Sequence, residues 1–89
     1  MSGQKRFANI LVVAHPELAE AIKQAEEITS YLQKQGIAAA CGLLTDQEIR
    51  EEICKKNIDL FVALGGDGTM LRAGNICAPC NIPILGINM

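Results

Sequence analysis

Residues 58–72 read IDLFVALGGDGTMLR and carry the strongest local signals in the sequence. The first half, Ile58–Leu64, is apolar except for Asp59, and such a short run is typical of a strand buried inside a parallel sheet. Three glycines follow within residues 65–68, and a helical pattern begins at Met70. A strand, a glycine loop and a helix in this order predict a parallel α/β fold, with the loop at the carboxyl end of the strand.

Three further segments have the composition of strands. Each is a short run of mostly apolar residues bounded by polar residues, glycine or proline. These segments are Phe7–Ala14, Ile37–Leu44 and Ile82–Ile87. Gly86 lies inside the last one and indicates close packing or a bend there.

Helical patterns fill the intervals between the strands. Pro16 suits the first turn of a helix, apolar residues recur at steps of three and four through residues 18–32, and Gly36 is a natural C-cap. Residues 45–48 have the capping-box pattern that starts a second helix, and Pro79 ends the third. The order β-α-β-α-β-loop-α-β predicts a three-layer, Rossmann-like α/β fold with a four-stranded parallel sheet.

The composition agrees with one small α/β unit over residues 1–89. The chain is 49% hydrophobic and 3% aromatic, and its formal net charge is -2. No basic stripe is present, so we expect no nucleic-acid partner. No apolar run is long enough to span a bilayer, and the basic pair before the first apolar run leads into a predicted strand rather than a signal peptide. We therefore expect a cytoplasmic protein without a membrane partner.

Four cysteines, at positions 41, 54, 77 and 80, are expected to be free thiols in a cytoplasmic chain. Cys77 and Cys80 have CxxC spacing, for which a redox or zinc role is an alternative. They lie at the end of a helical pattern, where the helix dipole does not favour a thiolate. A zinc site would need two more ligands, and the sequence has no second CxxC or paired histidine. We assign no residue as a metal ligand.

The glycine loop has the chemistry of an anion site. Gly65, Gly66 and Gly68 permit close approach of a ligand to the backbone, and the helix N-terminus behind them favours an anion. Thr69 could donate its hydroxyl to a phosphate or cap the helix. The loop is not a P-loop, because no lysine precedes the threonine. It is not the dinucleotide fingerprint either, since Leu71 stands where the third glycine belongs.

Asp67 is an unexpected residue in such a loop, because a carboxylate repels phosphate. It could hold Mg²⁺ that bridges phosphates, or accept the proton of a hydroxyl that attacks a phosphoryl group. Both alternatives indicate phosphoryl transfer. Arg72 follows one helical turn after Thr69 and could reach a phosphate or ribose, or could be a solvated helix residue. His15, the single histidine, is interpreted as a residue at the entry to the first helix rather than a proton-transfer group, although at the end of the first strand it could line the same crevice.

The segments Leu64–Ala73 and Ile82–Asn88 together resemble the NAD kinase family. Members phosphorylate the 2′-hydroxyl of the adenosine ribose of NAD with ATP or polyphosphate and a divalent metal, for which we expect Mg²⁺. The resemblance implies that Asp67 is the catalytic proton acceptor and that Asp67, Gly68 and Arg72 contact NAD. The backbone of Gly65–Gly68 and Thr69 would serve the phosphate region.

The resemblance covers essentially the whole chain but only the N-terminal part of the family's fold. Family members continue into an Asn-Glu/Asp motif and a C-terminal β-rich domain, and they work as homo-oligomers. We therefore expect residues 1–89 to be the N-terminal α/β domain of a longer, homo-oligomeric NAD kinase, and to be inactive alone.

Two alternatives stay open. Diacylglycerol and sphingosine-type lipid kinases also contain GGDGT, and phosphofructokinases contain a close variant, on a related nucleotide-binding fold. Met70-Leu71-Arg72 after the loop is unlike the lipid kinases. A non-catalytic, flavodoxin-like binding domain has a similar element order, but receiver modules of that type need acidic residues where Ala14-His15-Pro16 stands.

Overall fold

The computed structural model describes residues 8–89, and the helices and strands within them follow the predicted order. The strands and helices are β1 Asn9–Ala14, α1 Ala19–Lys34, β2 Ala38–Leu43, α2 Gln47–Glu52, β3 Leu60–Gly65, α3 Asp67–Cys77 and β4 Ile84–Asn88. Short 3₁₀ turns, Ile53–Lys55 and Ala78–Cys80, follow α2 and α3. Phe7, the predicted start of β1, lies outside the described residues.

The four strands form one parallel sheet in the order β2-β1-β3-β4. In register, Val12 of β1 lies between Cys41 of β2 and Val62 of β3. The predicted parallel α/β fold is thereby confirmed. The central strands β1 and β3 are nearly all buried, whereas the edge strands β2 and β4 are largely exposed.

Side chains alternate between the two faces of the sheet, as strand geometry requires. On one face, Val12 and Val62 pack with Ala25 of α1. On the other, Phe61 packs with Ala73 of α3, and the turn after α2 adds a buried isoleucine. The sheet therefore lies between α1 on one side and α2 with α3 on the other, which gives the three layers.

The predicted C-cap glycine of α1 is confirmed. Gly36 has a φ of +83°, a left-handed conformation that favours glycine. Its N–H donates to the carbonyl of Gln33 at 3.0 Å. The next N–H, of Ile37, donates to the carbonyl of Leu32 at 3.0 Å. These two bonds form the Schellman pattern, which satisfies two carbonyls at the helix end.

Three predicted helix boundaries are wrong by a few residues. Pro16 lies in the turn before α1, since the N-cap is Leu18. The predicted capping box at residues 45–48 does not form: the N-cap of α2 is Asp46, and its Oδ2 accepts a bond from the N–H of Leu43 at 2.9 Å instead. Pro79 lies within the 3₁₀ turn after α3, which ends at the left-handed Asn81. At α2, Asp46 takes the N-cap position that was predicted for Thr45. At α3, a 3₁₀ turn follows the helix. Neither feature is visible in the periodicity of the apolar residues.

Gly86 shows the close packing that its position in β4 predicts. A β-carbon built on Gly86 would lie 2.5 Å from Sδ of Met70. The side chain of Met70 therefore occupies the space over β4 that any larger residue would need, and α3 can approach the edge strand.

The prediction of four free thiols is wrong for two of them. Cys54 and Cys80 form a disulfide between the two 3₁₀ turns, with their Cα atoms 5.4 Å apart. Cys41 and Cys77 are free. Cys77 is buried, and desolvation raises the pKa of its thiol to about 11. A redox pair of Cys77 with Cys80 is therefore not formed, because Cys80 bonds to a residue that is 26 positions away in the sequence.

Candidate functional site

The sheet contains a switch point between β1 and β3. The chain leaves β1 through α1 on one face to reach β2, and returns through α2 on the opposite face to reach β3. At such a point the loops diverge and leave a crevice beyond the carboxyl ends of the strands, where α/β proteins bind ligands. The loop after β3 is the glycine loop, so the sequence and the topology indicate the same place.

A cleft of about 620 Å³ lies at this switch point, and we refer to it as the switch-point cleft. The residues that line it follow β1, β2 and β3: His15, Pro16, Glu17, Leu18, Leu44, Thr45, Gly66, Gly68, Thr69 and Arg72. Four of the six predicted site residues thus line one cleft. Gly65, the fifth, is the buried last residue of β3 beneath the loop. Asp67, the sixth, lies beside the cleft, towards β4.

The N-terminus of α3 opens directly behind the glycine loop. Gly66 is its N-cap, and no side chain caps the helix. The carbonyl of Gly66 accepts bonds from the N–H of Thr69 at 3.1 Å and of Met70 at 3.2 Å. The N–H groups of Asp67 and Gly68, in the first turn, have no carbonyl a turn earlier to bond within the helix. Such N–H groups, together with the helix dipole, favour an anion at this position.

Thr69 does not cap α3, so that predicted alternative is wrong. The residue is 2% exposed, and its side chain packs down against Gly65. A β-carbon on Gly65 would lie 2.7 Å from Cβ of Thr69 and would overlap its hydroxyl. Within residues 8–89 the Thr69 hydroxyl is buried without a hydrogen-bond partner.

Asp67 is exposed at the start of α3 and is held from the neighbouring strand. Nδ2 of Asn88 donates a hydrogen bond to Oδ1 of Asp67 at 3.2 Å. The sheet sets this contact, because Asn88 is in register with Gly65 and the N–H of Met89 donates to the carbonyl of Gly65 at 2.9 Å. Sequence reasoning did not assign Asn88 to the site. Its signal was present, since Asn88 is a polar residue at the carboxyl end of a strand.

His15 forms the turn after β1. Its backbone N–H donates to the carbonyl of Leu64 at 3.0 Å, which joins the ends of β1 and β3. Its Nδ1 accepts a bond from the N–H of Glu17 at 3.0 Å, so the neutral ring would carry its proton on Nε2. His15 therefore lies in the turn before α1, three residues ahead of the N-cap Leu18, rather than at the predicted helix entry. It also borders the switch-point cleft.

Residues 8–89 contain no group of three or more histidine, cysteine or acidic side chains that could hold a metal ion. Mg²⁺ is usually bound by one or two carboxylates together with substrate phosphates, rather than by a complete protein cage. A divalent metal therefore stays a prediction for a complex with substrates. In the same part of the chain, no helix is both long and apolar enough to cross a membrane.

The chain is an α/β domain with a glycine loop and an uncapped helix N-terminus, groups that suit an anionic ligand, at the switch point of its sheet. The strand order is shared with flavodoxin-like domains, so topology alone does not separate a kinase from a binding module. Sequence comparison does so. The model of the ATP-NAD kinase N-terminal domain matches residues 44–89, just over half of the chain. The chain belongs to this family, which confirms the predicted resemblance.

Relatives support the assignment over most of the chain. The chain is 37% identical to the NAD kinase of Methanothermobacter thermautotrophicus over 84 residues, which cover 88% of this chain and 30% of the relative. It is 39% identical to the NAD kinase of Chloroflexus aggregans over 79 residues, with 88% and 28% covered. For the NAD kinase of Corynebacterium jeikeium the identity is 33%, with 99% and 31% covered. The chain thus spans less than a third of the length of these relatives.

A solved structure of a candidate diacylglycerol kinase from Bacillus anthracis str. Sterne has the same fold. It superposes with a TM-score of 0.59 over 96% of this chain and 31% of the other, at 18% identity. Identity at this level shows a shared fold and no more. The lipid kinases and the NAD kinases therefore have to be separated by sequence, as the family match does.

Proposed function

We propose that the protein containing this chain transfers a phosphoryl group from ATP or polyphosphate to the 2′-hydroxyl of the adenosine ribose of NAD. Family membership supports the kinase class. The observation that carries the proposal is the position of Asp67, an oriented carboxylate beside the free N–H groups of a helix N-terminus. Because the chain spans less than a third of its relatives, the activity is proposed for the whole protein. The 89-residue domain is proposed to be inactive alone.

The loop divides into two sides, and this division suits phosphoryl transfer. Gly66, Gly68 and Arg72 border the switch-point cleft, where backbone N–H groups and a guanidinium would bind phosphate. Asp67 bonds to Asn88 on the side of β4. A carboxylate there would meet the acceptor sugar rather than the phosphates. The predicted contact of Gly68 with NAD remains part of the proposal, whereas the position of Arg72 between two cavities favours a contact with the donor phosphates over its predicted contact with NAD.

The reaction would proceed by direct displacement. The 2′-oxygen attacks the terminal phosphorus of the donor, and the bond from that phosphorus to the bridging oxygen breaks. The donor leaves as ADP or as a polyphosphate shortened by one unit. Asp67 accepts the hydroxyl proton as the new bond forms. A divalent metal, when bound, would neutralise charge on the donor phosphates.

Asn88 would act as a positioning residue for Asp67. Its amide engages Oδ1, which leaves Oδ2 free to accept the bond from the ribose hydroxyl. The bond also restricts rotation of an otherwise exposed carboxylate. A fixed acceptor reduces the reorganisation needed to reach the reactive geometry.

The test is an NADP-forming assay with NAD, ATP and Mg²⁺ on the full-length protein that carries this domain. Asp67→Asn keeps the shape and removes the base, so kcat should fall by about 10²–10⁴-fold. Asn88→Leu should lower kcat by roughly tenfold, while KM for NAD changes little. Glu27→Gln, an exposed carboxylate of α1, is the matched control and should be neutral. Circular dichroism would check that every variant is folded.

Three outcomes would contradict the proposal. A folded wild-type protein that forms no NADP would exclude the NAD kinase reaction, and diacylglycerol and sphingosine would then be tested as acceptors. Activity within tenfold of the wild type in Asp67→Asn would exclude Asp67 as the base. NADP formation by the 89-residue domain would refute the proposal that it is inactive alone.

We further propose that nucleotides are the small-molecule partners, that the whole protein is a cytoplasmic homo-oligomer, and that residues 1–89 are its N-terminal domain. Light scattering of the full-length protein would test the assembly, and a single-protomer mass at working concentration would contradict it.

A further inference from the structure

A smaller hollow lies between α2 and α3, next to the switch-point cleft. Its volume is about 190 Å³, and it is lined by Leu44, Arg50, Arg72, Asn75 and Ile76. Leu44 and Arg72 also line the switch-point cleft, so the two spaces adjoin along these side chains. We call this space the arginine hollow.

The arginine hollow is cationic, although the chain as a whole has a net charge of -2. Arg50 comes from the last turn of α2 and Arg72 from α3, and no acidic side chain lines the space. The one ion pair within residues 8–89 joins Lys56 to Glu48, so neither guanidinium is neutralised by a carboxylate of the described chain. Two unpaired guanidiniums in one concavity concentrate positive potential there.

The groups that line the arginine hollow suit a phosphoryl chain. A guanidinium presents a planar fork of donors that matches two phosphate oxygens. Asn75 adds an amide three residues after Arg72, on the same side of α3. The remaining lining, from Leu44 and Ile76, is apolar and offers no carboxylate that would compete with phosphate for the two guanidiniums.

Size and position make the hollow a subsite rather than a complete site. Whole ligand sites occupy about 300–1,000 Å³, so a nucleoside would not fit in this space. Arg72 follows Asp67 by five residues, which is about 7.5 Å along the axis of α3. A polyanion that begins at the N-terminus of α3 would therefore reach the hollow with its next charged groups.

We propose that Arg50 and Arg72 bind the part of the donor's phosphate chain that is not transferred. The identity of the donor rests on the proposed function, whereas binding of a polyanion does not. The chemistry is the same for the inner phosphates of a nucleoside triphosphate and for inorganic polyphosphate. Arg50 is the new assignment, because nothing in the loop sequence indicated a contribution from α2.

The direct test is a calorimetric titration of the 89-residue chain with inorganic tripolyphosphate. Arg50→Gln should weaken binding by roughly tenfold, because a charge-assisted fork is lost. The affinity of Arg50→Lys should lie between those of the wild type and Arg50→Gln, since lysine keeps the charge without the planar fork of donors. Lys23→Gln removes the same charge from an exposed position on α1 and should change affinity less than twofold. Added salt should weaken the wild-type interaction.

A parallel titration with ATP distinguishes the two sources of phosphate. Tighter binding of ATP than of tripolyphosphate would mean that the switch-point cleft also grips the nucleoside, and equal or weaker binding would favour polyphosphate. Both results support the subsite if Arg50→Gln weakens each ligand. Absence of tripolyphosphate binding, or equal losses in Arg50→Gln and Lys23→Gln, would overturn it.

Kinetics on the full-length protein keep this proposal separate from the proposed function. Arg50→Gln should raise KM for the donor by roughly tenfold and leave KM for NAD unchanged. If no NADP forms but tripolyphosphate binding still depends on Arg50, the NAD kinase reaction fails and the subsite stands. If NADP forms and Arg50→Gln changes neither the donor KM nor tripolyphosphate binding, the subsite fails and the reaction stands.

Discussion

Thr69 provides a prediction in which stability and activity should change in opposite directions. Its hydroxyl is buried without a hydrogen-bond partner among residues 8–89, directly behind the glycine loop. Thr69→Val replaces that hydroxyl by a methyl group of nearly the same shape. The variant therefore removes one polar atom from the interior and leaves the packing against Gly65 almost unchanged.

The expected magnitude follows from the surroundings of the hydroxyl. A buried polar group without a partner costs about 1–3 kcal/mol. Burying a methyl group in its place contributes about 0.8 kcal/mol. Crowding against Gly65 opposes these gains, because the side chain is already in close contact there. We expect a net stabilisation of about 1–2 kcal/mol, which would raise Tm by about 4–8 °C per kcal/mol in a domain of this size.

The assay is urea unfolding of the 89-residue chain, with Thr29→Val as a matched control. Thr29 is also buried, but its Oγ1 donates to the carbonyl of Ala25 at 2.7 Å. The same substitution there removes a satisfied bond and should destabilise the chain by about 0.5–1.5 kcal/mol. If Thr69→Val lowers stability as much as Thr29→Val does, the hydroxyl of Thr69 has a partner and the reasoning is refuted.

A measurement of activity tests whether the unpartnered hydroxyl of Thr69 contacts the substrate. If Thr69 donates to a substrate phosphate, Thr69→Val in the full-length protein should lower kcat/KM by roughly tenfold despite its greater stability. Unchanged kcat/KM in the stabilised variant would exclude the predicted phosphate contact of Thr69.

Three further predictions concern stability. Gly65→Ala should destabilise the chain by about 1–3 kcal/mol, because the new β-carbon would meet the side chain of Thr69. Gly74→Ala, where no atom lies within 4 Å of the new β-carbon, should stabilise α3 by up to about 1 kcal/mol. The urea midpoints of the two variants test this difference. Reducing the Cys54–Cys80 disulfide should cost about 3.5 kcal/mol, since it closes a loop of 26 residues, and dithiothreitol should have no such effect on the Cys54→Ser/Cys80→Ser variant. Burial raises the pKa of the Cys77 thiol from 9.0 to about 11. The stability that the buried neutral thiol contributes is therefore complete below pH 9 and is lost as the pH rises through 11. Between pH 8 and pH 11, the free energy of unfolding should fall more steeply in the wild type than in Cys77→Ala.

Local signals were sufficient to predict the strands and the helices, and to propose a site at the carboxyl end of β3. Residues 60–64 are all apolar because β3 is central and covered on both faces. The backbone at residue 36 has a left-handed φ, which favours glycine, so Gly36 could be recognised in the sequence as the end of α1. Gly86 was predicted to mark close packing, but its partner Met70 could be found only in the structure.

Contacts between distant residues could not be predicted, because they depend on strand order. Asn88 reaches Asp67 across 21 positions only because β4 lies beside β3. The disulfide likewise joins two turns that become neighbours when α2 and α3 pack on the same face. The failed capping box has a local cause, since Asp46 competed with Thr45 for the N-cap position.

The two charges of the loop segment show why spacing in a helix matters for the proposed chemistry. Asp67 and Arg72 are five residues apart, which places them about 140° apart around α3. One can therefore bond to Asn88 beside β4 while the other lines the switch-point cleft. On the proposed function, the carboxylate would face the acceptor sugar and the guanidinium would face the donor phosphates. The repulsion between this aspartate and a bound phosphate would then be reduced, because its carboxylate is held towards β4, away from the cleft.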